Sequence, residues 1–385
     1  MVAGYIHVEI ETVQSSKKIG AICGDVVGCD RTPVATTLVC ADGIGTGIRA
    51  RIAAEMCISR LLELLRLGFS LRQAFTAVVR TMEQNRDPSK PFAAFTIARL
   101  LNDGMATTLS YEAPPAILIS RRHASELVTR SVELGGAVVL ESDCYLEPDD
   151  GLLVTSDGVT QAGLGHGLPY GWQTEGVVRY VNHCLTDGRL PREIPEQVHR
   201  EARRLSPGGD DCTAVMALCR RGQIVNVLTG PAGNRSQDAI FVKRFMQAEG
   251  LKLVCGGTTA EIVARVLGQR MSVEQCPQSL VAPPRYEIEG IDLVTEGAVT
   301  LNQAYNLLNE DLCALTEDSG VTELCALLQI ADRVNIFMGT ARSLAGGDIS
   351  FRQRGILTRE AIVPLIADRL RAAGKLVVVE RSASG

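Results

Sequence analysis

Four short acidic segments in the first half of the chain carry the residue types that metal-dependent hydrolysis uses. They are Gly24-Asp25, Asp42-Gly43-Ile44-Gly45-Thr46-Gly47, Ser156-Asp157-Gly158-Val159 and Gly208-Gly209-Asp210-Asp211. In each, the acid lies at or near the end of an apolar, strand-like run. Neighbouring glycine lets the backbone come close to a bound ion. Hard divalent cations such as Mg²⁺ and Mn²⁺ prefer oxygen ligands, which carboxylates and water supply. Two such ions about 3.5–4 Å apart can share a bridging carboxylate and activate a water for in-line attack on phosphorus. That chemistry gathers aspartates from distant parts of the chain and needs no covalent nucleophile. Without cations the same carboxylates would repel one another and raise their own pKa values. A single Asp-Gly is ordinarily a turn; the set of four is the specific feature.

The elements that must position these acids follow from the patterning. Residues 5–12 alternate like a half-buried strand, and 19–27 and 35–42 are further strand candidates. From Gly47 to about Arg66, Ile48, Ile52, Met56, Leu61, Leu62 and Leu65 fall near helical spacing. Gly68 interrupts that helix, and Ser70 can cap a second one running to about Glu83. Strands are expected in FAAFTIARLL, MATTLSYE and AILIS within 92–121, with a hairpin turn at Asn102-Asp103-Gly104. Residues 137–143, 152–156 and 212–219 are expected strands, and 174–185 and 195–204 expected helices.

The second half changes character. Short apolar strands at about 224–228, 251–255, 291–295, 334–338 and 375–380 alternate with helical stretches at 239–249, 259–267, 301–309 and 358–373. Such alternation predicts a mostly parallel sheet covered on both faces. The boundary falls at Arg220-Arg221-Gly222, giving domains 1–221 and 222–385, with 276–289 read as a connection inside the second.

Composition narrows the field. The chain has 385 residues, 46% of them hydrophobic, enough for two ordinary cores. A net charge of -5 argues against nucleic-acid binding through the overall field. No apolar run is long enough to span a membrane, and the start lacks a secretory pattern, so a cytoplasmic protein is expected. The twelve cysteines include no C-x-x-C pair, so they are read as reduced, small apolar residues.

Taken in order, GD at 24–25, VCADGIGTG at 39–47, YEAPPAILI at 111–119, LLVTSDGVTQAG at 152–163 and GGDDCTAVMAL at 208–218 resemble one family. Residues 5–220 are similar to the metal-dependent protein phosphatase (2C) superfamily, in its stage II sporulation protein E branch. The resemblance implies an α/β/β/α sandwich of two antiparallel sheets. It implies Mn/Mg-dependent hydrolysis of phosphoserine or phosphothreonine on a protein partner, in bacterial signalling. It makes Asp42 the carboxylate bridging two metals, with a backbone oxygen from Gly43. Asp25 would contact one metal largely through water, Asp157 and Asp210 would hold the other, and Asp211 would support them. Asp42 and Asp157 would carry catalysis through the activated water.

The sequence departs from the family at two places. A segment that usually has Gly-His before Pro-Pro reads Glu112-Ala113-Pro114-Pro115, taken as a loop variation away from the metals. Where some relatives carry a phosphate-gripping Arg, only Lys17 and Lys18 are near. The glycine-rich stretch 163–172 is a candidate flap, with His166 a candidate acid and Trp172 a packing residue. A non-catalytic scaffold that keeps the phosphatase fold is the alternative.

In the second half, Gly256, Gly257, Thr258 and Thr259 follow a strand and open a helix, a place suited to a small anionic ligand. Gly230–Ser236 and Gly339-Thr340-Ala341 are further strand-end turns. CGGTTAEIVAR at 255–265 resembles C-terminal extensions of some sporulation-E-like phosphatases of anaerobic bacteria. Ligand sensing, partner docking and an independent small-molecule activity all remain open for this half.

Overall fold

The structure is a computed structural model, and it describes residues 4–382 apart from 19, 46, 85–91, 121, 274–285, 309, 311–318, 342–352 and 354. The chain divides into two compact units, Met1–Arg221 and Gly222–Gly385.

The N-terminal unit holds two antiparallel sheets. Its strands are β1 (Ile6–Ser15), β2 (Asp25–Arg31), β3 (Ala35–Gly43), β4 (Ala93–Leu101), β5 (Met105–Tyr111), β6 (Ile117–Ser120), β7 (His123–Glu126), β8 (Arg130–Leu134), β9 (Ala137–Tyr145), β10 (Gly151–Thr155) and β11 (Cys212–Arg221). One sheet has the order β1-β11-β10-β6-β7 and the other β2-β3-β4-β5-β9-β8. Helices α1 (Ile48–Arg66) and α2 (Leu71–Gln84) follow β3; α3 (Asp157–Thr160), α4 (Gln173–Thr186) and α5 (Ile194–Leu205) follow β10.

The alternation of each strand decides the layers. Leu38 and Cys40 of β3 turn inward to meet Val8, Val154, Val215 and Ala217 of the facing sheet. Val39 and Ala41 of the same strand turn outward, under Ala54, Cys57, Leu61 and Phe75 of α1 and α2. On the other side Leu153, Ala214 and Met216 pack beneath Val177, Val181, Val198 and Ala202 of α4 and α5. The result is an α/β/β/α sandwich, as the resemblance implies.

Two boundaries differ from expectation. The residues before Asp25 are not strand; the Gly24 amide is held by the Asp211 carboxylate at 2.6 Å instead of a ladder partner. Asp25 therefore begins β2 rather than ending a strand. Strands β7 and β8 were not foreseen; both are short, at sheet margins, and largely solvent-facing.

The C-terminal unit contains β12 (Ile224–Thr229), α6 (Asp238–Gln247), β13 (Leu251–Cys255), α7 (Gly257–Leu267), β14 (Ser272–Val273), β15 (Tyr286–Glu287), β16 (Leu293–Thr295), α8 (Ala298–Leu307), α9 (Gly320–Ile330), β17 (Arg333–Met338), α10 (Arg359–Ala372) and β18 (Leu376–Arg381). Sheet order is β14-β15-β16-β13-β12-β17-β18, and β16, β13, β12, β17 and β18 are parallel neighbours. Helices α8, α9 and α10 cover one face through Leu301, Leu324, Ile362 and Ile366. Helices α6 and α7 cover the other through Phe241, Phe245 and Val263. The sheet is doubly wound, and its chain order reverses between β12 and β17. Most of the 276–289 connection lies outside the described residues.

Candidate metal centre

Antiparallel pairing places Asp25, the first residue of β2, directly opposite Asp42 near the end of β3. Asp157 joins them from the start of α3, after β10 ends at Thr155. The Asp42 carboxyl lies within hydrogen-bonding reach of both Asp25 and Asp157. Both sheets thus contribute acids to one cluster.

Glycines let the surrounding backbone close. A Cβ on Gly43 would fall 1.8 Å from the Ala50 carbonyl oxygen in the first turn of α1. A Cβ on Gly158 would fall 1.9 Å from the Asp211 carbonyl oxygen. Any side chain at either position would push apart the elements that carry the acids.

Asp25 is fully buried, and its Oδ2 accepts a 2.6 Å hydrogen bond from Thr213 Oγ1. Gln14 Nε2 donates to Thr213 Oγ1 at 3.0 Å and to the Asp25 carbonyl at 2.9 Å. The other oxygen, Asp25 Oδ1, is buried with no donor among the described residues. Burial pushes the Asp25 carboxyl up to about 6, against the opposing help of Thr213 and Ser156. Asp42 is pushed up to about 10 by burial, then by the charges of Asp25 and Asp157. Three crowded acids, one with an orphaned oxygen, are a set that a hard cation satisfies better than protons do. Asp157 Oδ2 also accepts from Gln161 Nε2 at 2.8 Å, which orients it.

Asp210 stands apart from those three. It is exposed, its Oδ1 accepts from the Asp211 amide at 3.0 Å, and Lys17 Nζ is 3.6 Å away. The fourth carboxyl beside Asp25 is Asp211, grouped with Cys23 within 4.8 Å. Both Asp211 oxygens are engaged at 2.6 Å, one by the Lys17 amide and one by the Gly24 amide. Asp211 therefore ties the loop before β2 to the start of β11. Cys23 was missed by sequence reasoning, though it lies two residues before an acid already singled out. Burial, then Asp25, pushes its thiol up to about 12.

One expectation is corrected by position. Glu112-Ala113-Pro114 does not lie away from the acids. It lines a pocket with Cys40, Asp42, Ala94, Thr155, Ser156 and Asp157. Glu112 is exposed and has a φ of 51°, in the left-handed region that favours glycine. Within 163–172, His166 is exposed in a turn, while Trp172 packs edge-on against Tyr180 at 5.5 Å.

In the C-terminal unit, the Gly256–Thr259 turn opens α7. The Thr259 hydroxyl is occupied by the Gly230 amide at 3.0 Å. Glu296 Oε1 lies 3.9 Å from where a Gly257 Cβ would stand, and it accepts from Tyr286 at 2.6 Å. A carboxylate of the chain itself therefore already lies beside this helix start.

The N-terminal unit is thus a two-sheet sandwich with carboxylates clustered at strand ends, the class of site that holds divalent cations. Residues 33–220 match the family model described as Stage II sporulation protein E (SpoIIE), which spans most of the N-terminal unit. No curated protein matches the chain. Among solved structures, it is similar to the RsbU and RsbW domains of a Mycobacterium tuberculosis protein, at 16% identity and a TM-score of 0.49, over 69% of this chain and 70% of that one. It is similar to the PP2C phosphatase domain with a regulatory fragment of SpoIIE from Bacillus subtilis, at 17% identity and a TM-score of 0.49, over 57% and 65%. A third similar structure is the catalytic domain of the serine/threonine phosphatase PstP in complex with two manganese ions, at 15% identity and a TM-score of 0.41, over 56% and 99%.

Proposed function

We propose that the N-terminal unit hydrolyses phosphoserine or phosphothreonine on a protein partner, as a cytoplasmic bacterial regulator. The observation that carries this reading is the trio Asp25, Asp42 and Asp157, drawn together from both sheets with a buried carboxylate oxygen left without a donor. Two Mn²⁺ or Mg²⁺ ions, when bound, would supply a reactive water at neutral pH and offset the charge of the phosphate. Asp42 and the Gly43 carbonyl would be shared ligands of those ions in this reading. Asp25 and Asp157 would hold the ions with Asp42, and Asp210, which stands apart at the exposed surface, is proposed as a further ligand.

The chain's own residues do the positioning. Thr213 and Gln14 fix Asp25, and Gln161 fixes Asp157. Fixed carboxylates hold charge where it is needed without reorganising during the reaction. Lys17, anchored through its amide to Asp211 and reaching Asp210, is a candidate cation for a substrate phosphate, as is Arg203, which donates to the Asp210 carbonyl at 3.0 Å. The C-terminal unit is proposed to sense a small anionic ligand or dock the partner.

Hydrolysis of p-nitrophenyl phosphate and of a phosphopeptide with Mn²⁺ tests the reading. Wild type should turn over both, and Asp42→Ala should lose at least about a hundredfold in kcat. Unchanged activity in the variant, or none in wild type with Mn²⁺ present, would overturn it.

A further inference from the structure

The reversal point of the C-terminal sheet holds an unusual buried charge. Loops leave β12 and β17 side by side there: the Gly339 amide donates to Thr229 at 2.9 Å, and Ala341 to Pro231 at 3.2 Å. Ligands of doubly wound sheets bind outside the carboxyl ends of the strands at this point. Arg359, the first residue of α10, is only 8% exposed. Its guanidinium fills the place a Gly230 side chain would take; Nη1 lies 1.5 Å from the position of that missing Cβ. Gly230 has a φ of 80°, so the sequence there is suited to glycine twice over.

The guanidinium is incompletely matched. Nη2 donates to the Ala341 carbonyl and meets Glu360 Oε1 at 3.2 Å, but Glu360 is half-exposed. Nε is buried with no acceptor among the described residues. The charge also stands at the amino end of a helix, where the peptide dipoles are themselves positive. Desolvating a cation beside a positive helix end costs free energy, which an added anion at the guanidinium would offset.

We infer that the strand-end surface where the β12 and β17 loops meet binds a small oxyanion-bearing molecule, a phosphate ester or a carboxylate, through Arg359. The Gly256–Thr259 turn adjoins this place through the Thr259 hydroxyl on the Gly230 amide, but Glu296 stands at that helix start and the anchor here is Arg359. The site is independent of the phosphatase reading, because none of its residues belongs to the N-terminal unit.

The test uses the full chain carrying Asp42→Ala, with chelator present, so that the metal centre cannot hold the probe. Inorganic phosphate, adenosine monophosphate and succinate are each added, against sodium chloride at equal ionic strength. Hydrogen exchange should slow in residues 228–232 and 337–341 and at the start of α10 with the phosphate probes or with succinate. The responding arm identifies the oxyanion. That probe, at about 100 times its Kd, should raise the melting temperature of the C-terminal unit by about 5 °C. Arg359→Gln should abolish both effects, and Arg359→Lys should weaken them because it keeps the charge but loses the Nε donor. Because the exchange measurement uses the natural Arg359, it stands even if a variant misfolds. No protection by any of the three at millimolar concentration overturns the inference. So does protection confined to residues 256–260.

Discussion

At the scale of residues, the clustered acids Asp25 and Asp42 tie stability to pH. A carboxyl whose pKa is higher in the folded chain than in the unfolded one stabilises the fold below the unfolded value. That contribution is lost as pH rises through the folded value. For Asp25 the window runs from the ordinary carboxylate range to about 6; for Asp42 it extends past neutrality toward about 10. With chelator, the N-terminal unit should melt at a lower temperature at pH 8 than at pH 6. Mn²⁺ replaces those protons, so its stabilisation should be larger at pH 8. Equal metal-induced shifts at both pH values would falsify this account. Glu112 gives a second prediction. Glu112→Gly relieves a left-handed backbone position, which should raise stability by up to about 1 kcal/mol, less the added freedom of the unfolded chain. Removing a carboxylate from the pocket of Asp42 and Asp157 should also lower KM for an anionic phosphate substrate. Denaturant titration and steady-state kinetics read the two effects separately.

The scale of elements shows which parts of the site depend on close approach. Gly43→Ala would drive a methyl group into the first turn of α1. It should cost about 3 kcal/mol or more and displace Asp42 along with the strand. Weakened Mn²⁺ binding by calorimetry, in parallel with a lower denaturation midpoint, is the expected result. These elements were legible in the sequence to different degrees. Strand β3 and helix α1 were, because Leu38 to Cys40 and Ile48 to Leu65 show two distinct periods. The start of β2 was not, because the Gly24 amide finds its partner in Asp211, nearly the whole unit away along the chain. Helix α9 was overlooked because its face is apolar nearly all round and lacks a contrasting polar stripe. Glu112 was misplaced for a related reason: a sequence shows that glycine is missing but not which pocket the replacement faces. Asp42 and Asp157 could be found from their flanking segments, whereas the contrast between exposed Asp210 and inward-held Asp211 needed three dimensions. Arg359 gave no signal at all, since a helix-opening arginine is ordinary until its burial is known.

At the scale of the whole molecule, the two units have separate cores, and each is built by a different rule: antiparallel sandwich in one, doubly wound parallel sheet in the other. All the residues assigned to the metal centre lie before Arg221. Residues 1–221 alone should therefore fold and retain p-nitrophenyl phosphate hydrolysis within about threefold of the full chain. A truncated protein that is soluble and folded by circular dichroism but inactive would show that the second unit completes the site.

One pairing described above bears on timing. Strand β1 has a single neighbour in its sheet, β11, and Ile6 lies opposite Arg221. During synthesis β1 must wait for the last strand of its unit, a delay on the order of ten seconds or more at ordinary rates of synthesis. Gln14 on β1 and Thr213 on β11 are also the pair that fixes Asp25. The nascent chain consequently cannot assemble the Asp25 cradle while the unit is still being made, so the carboxylate cluster is completed only at the close of the unit's translation.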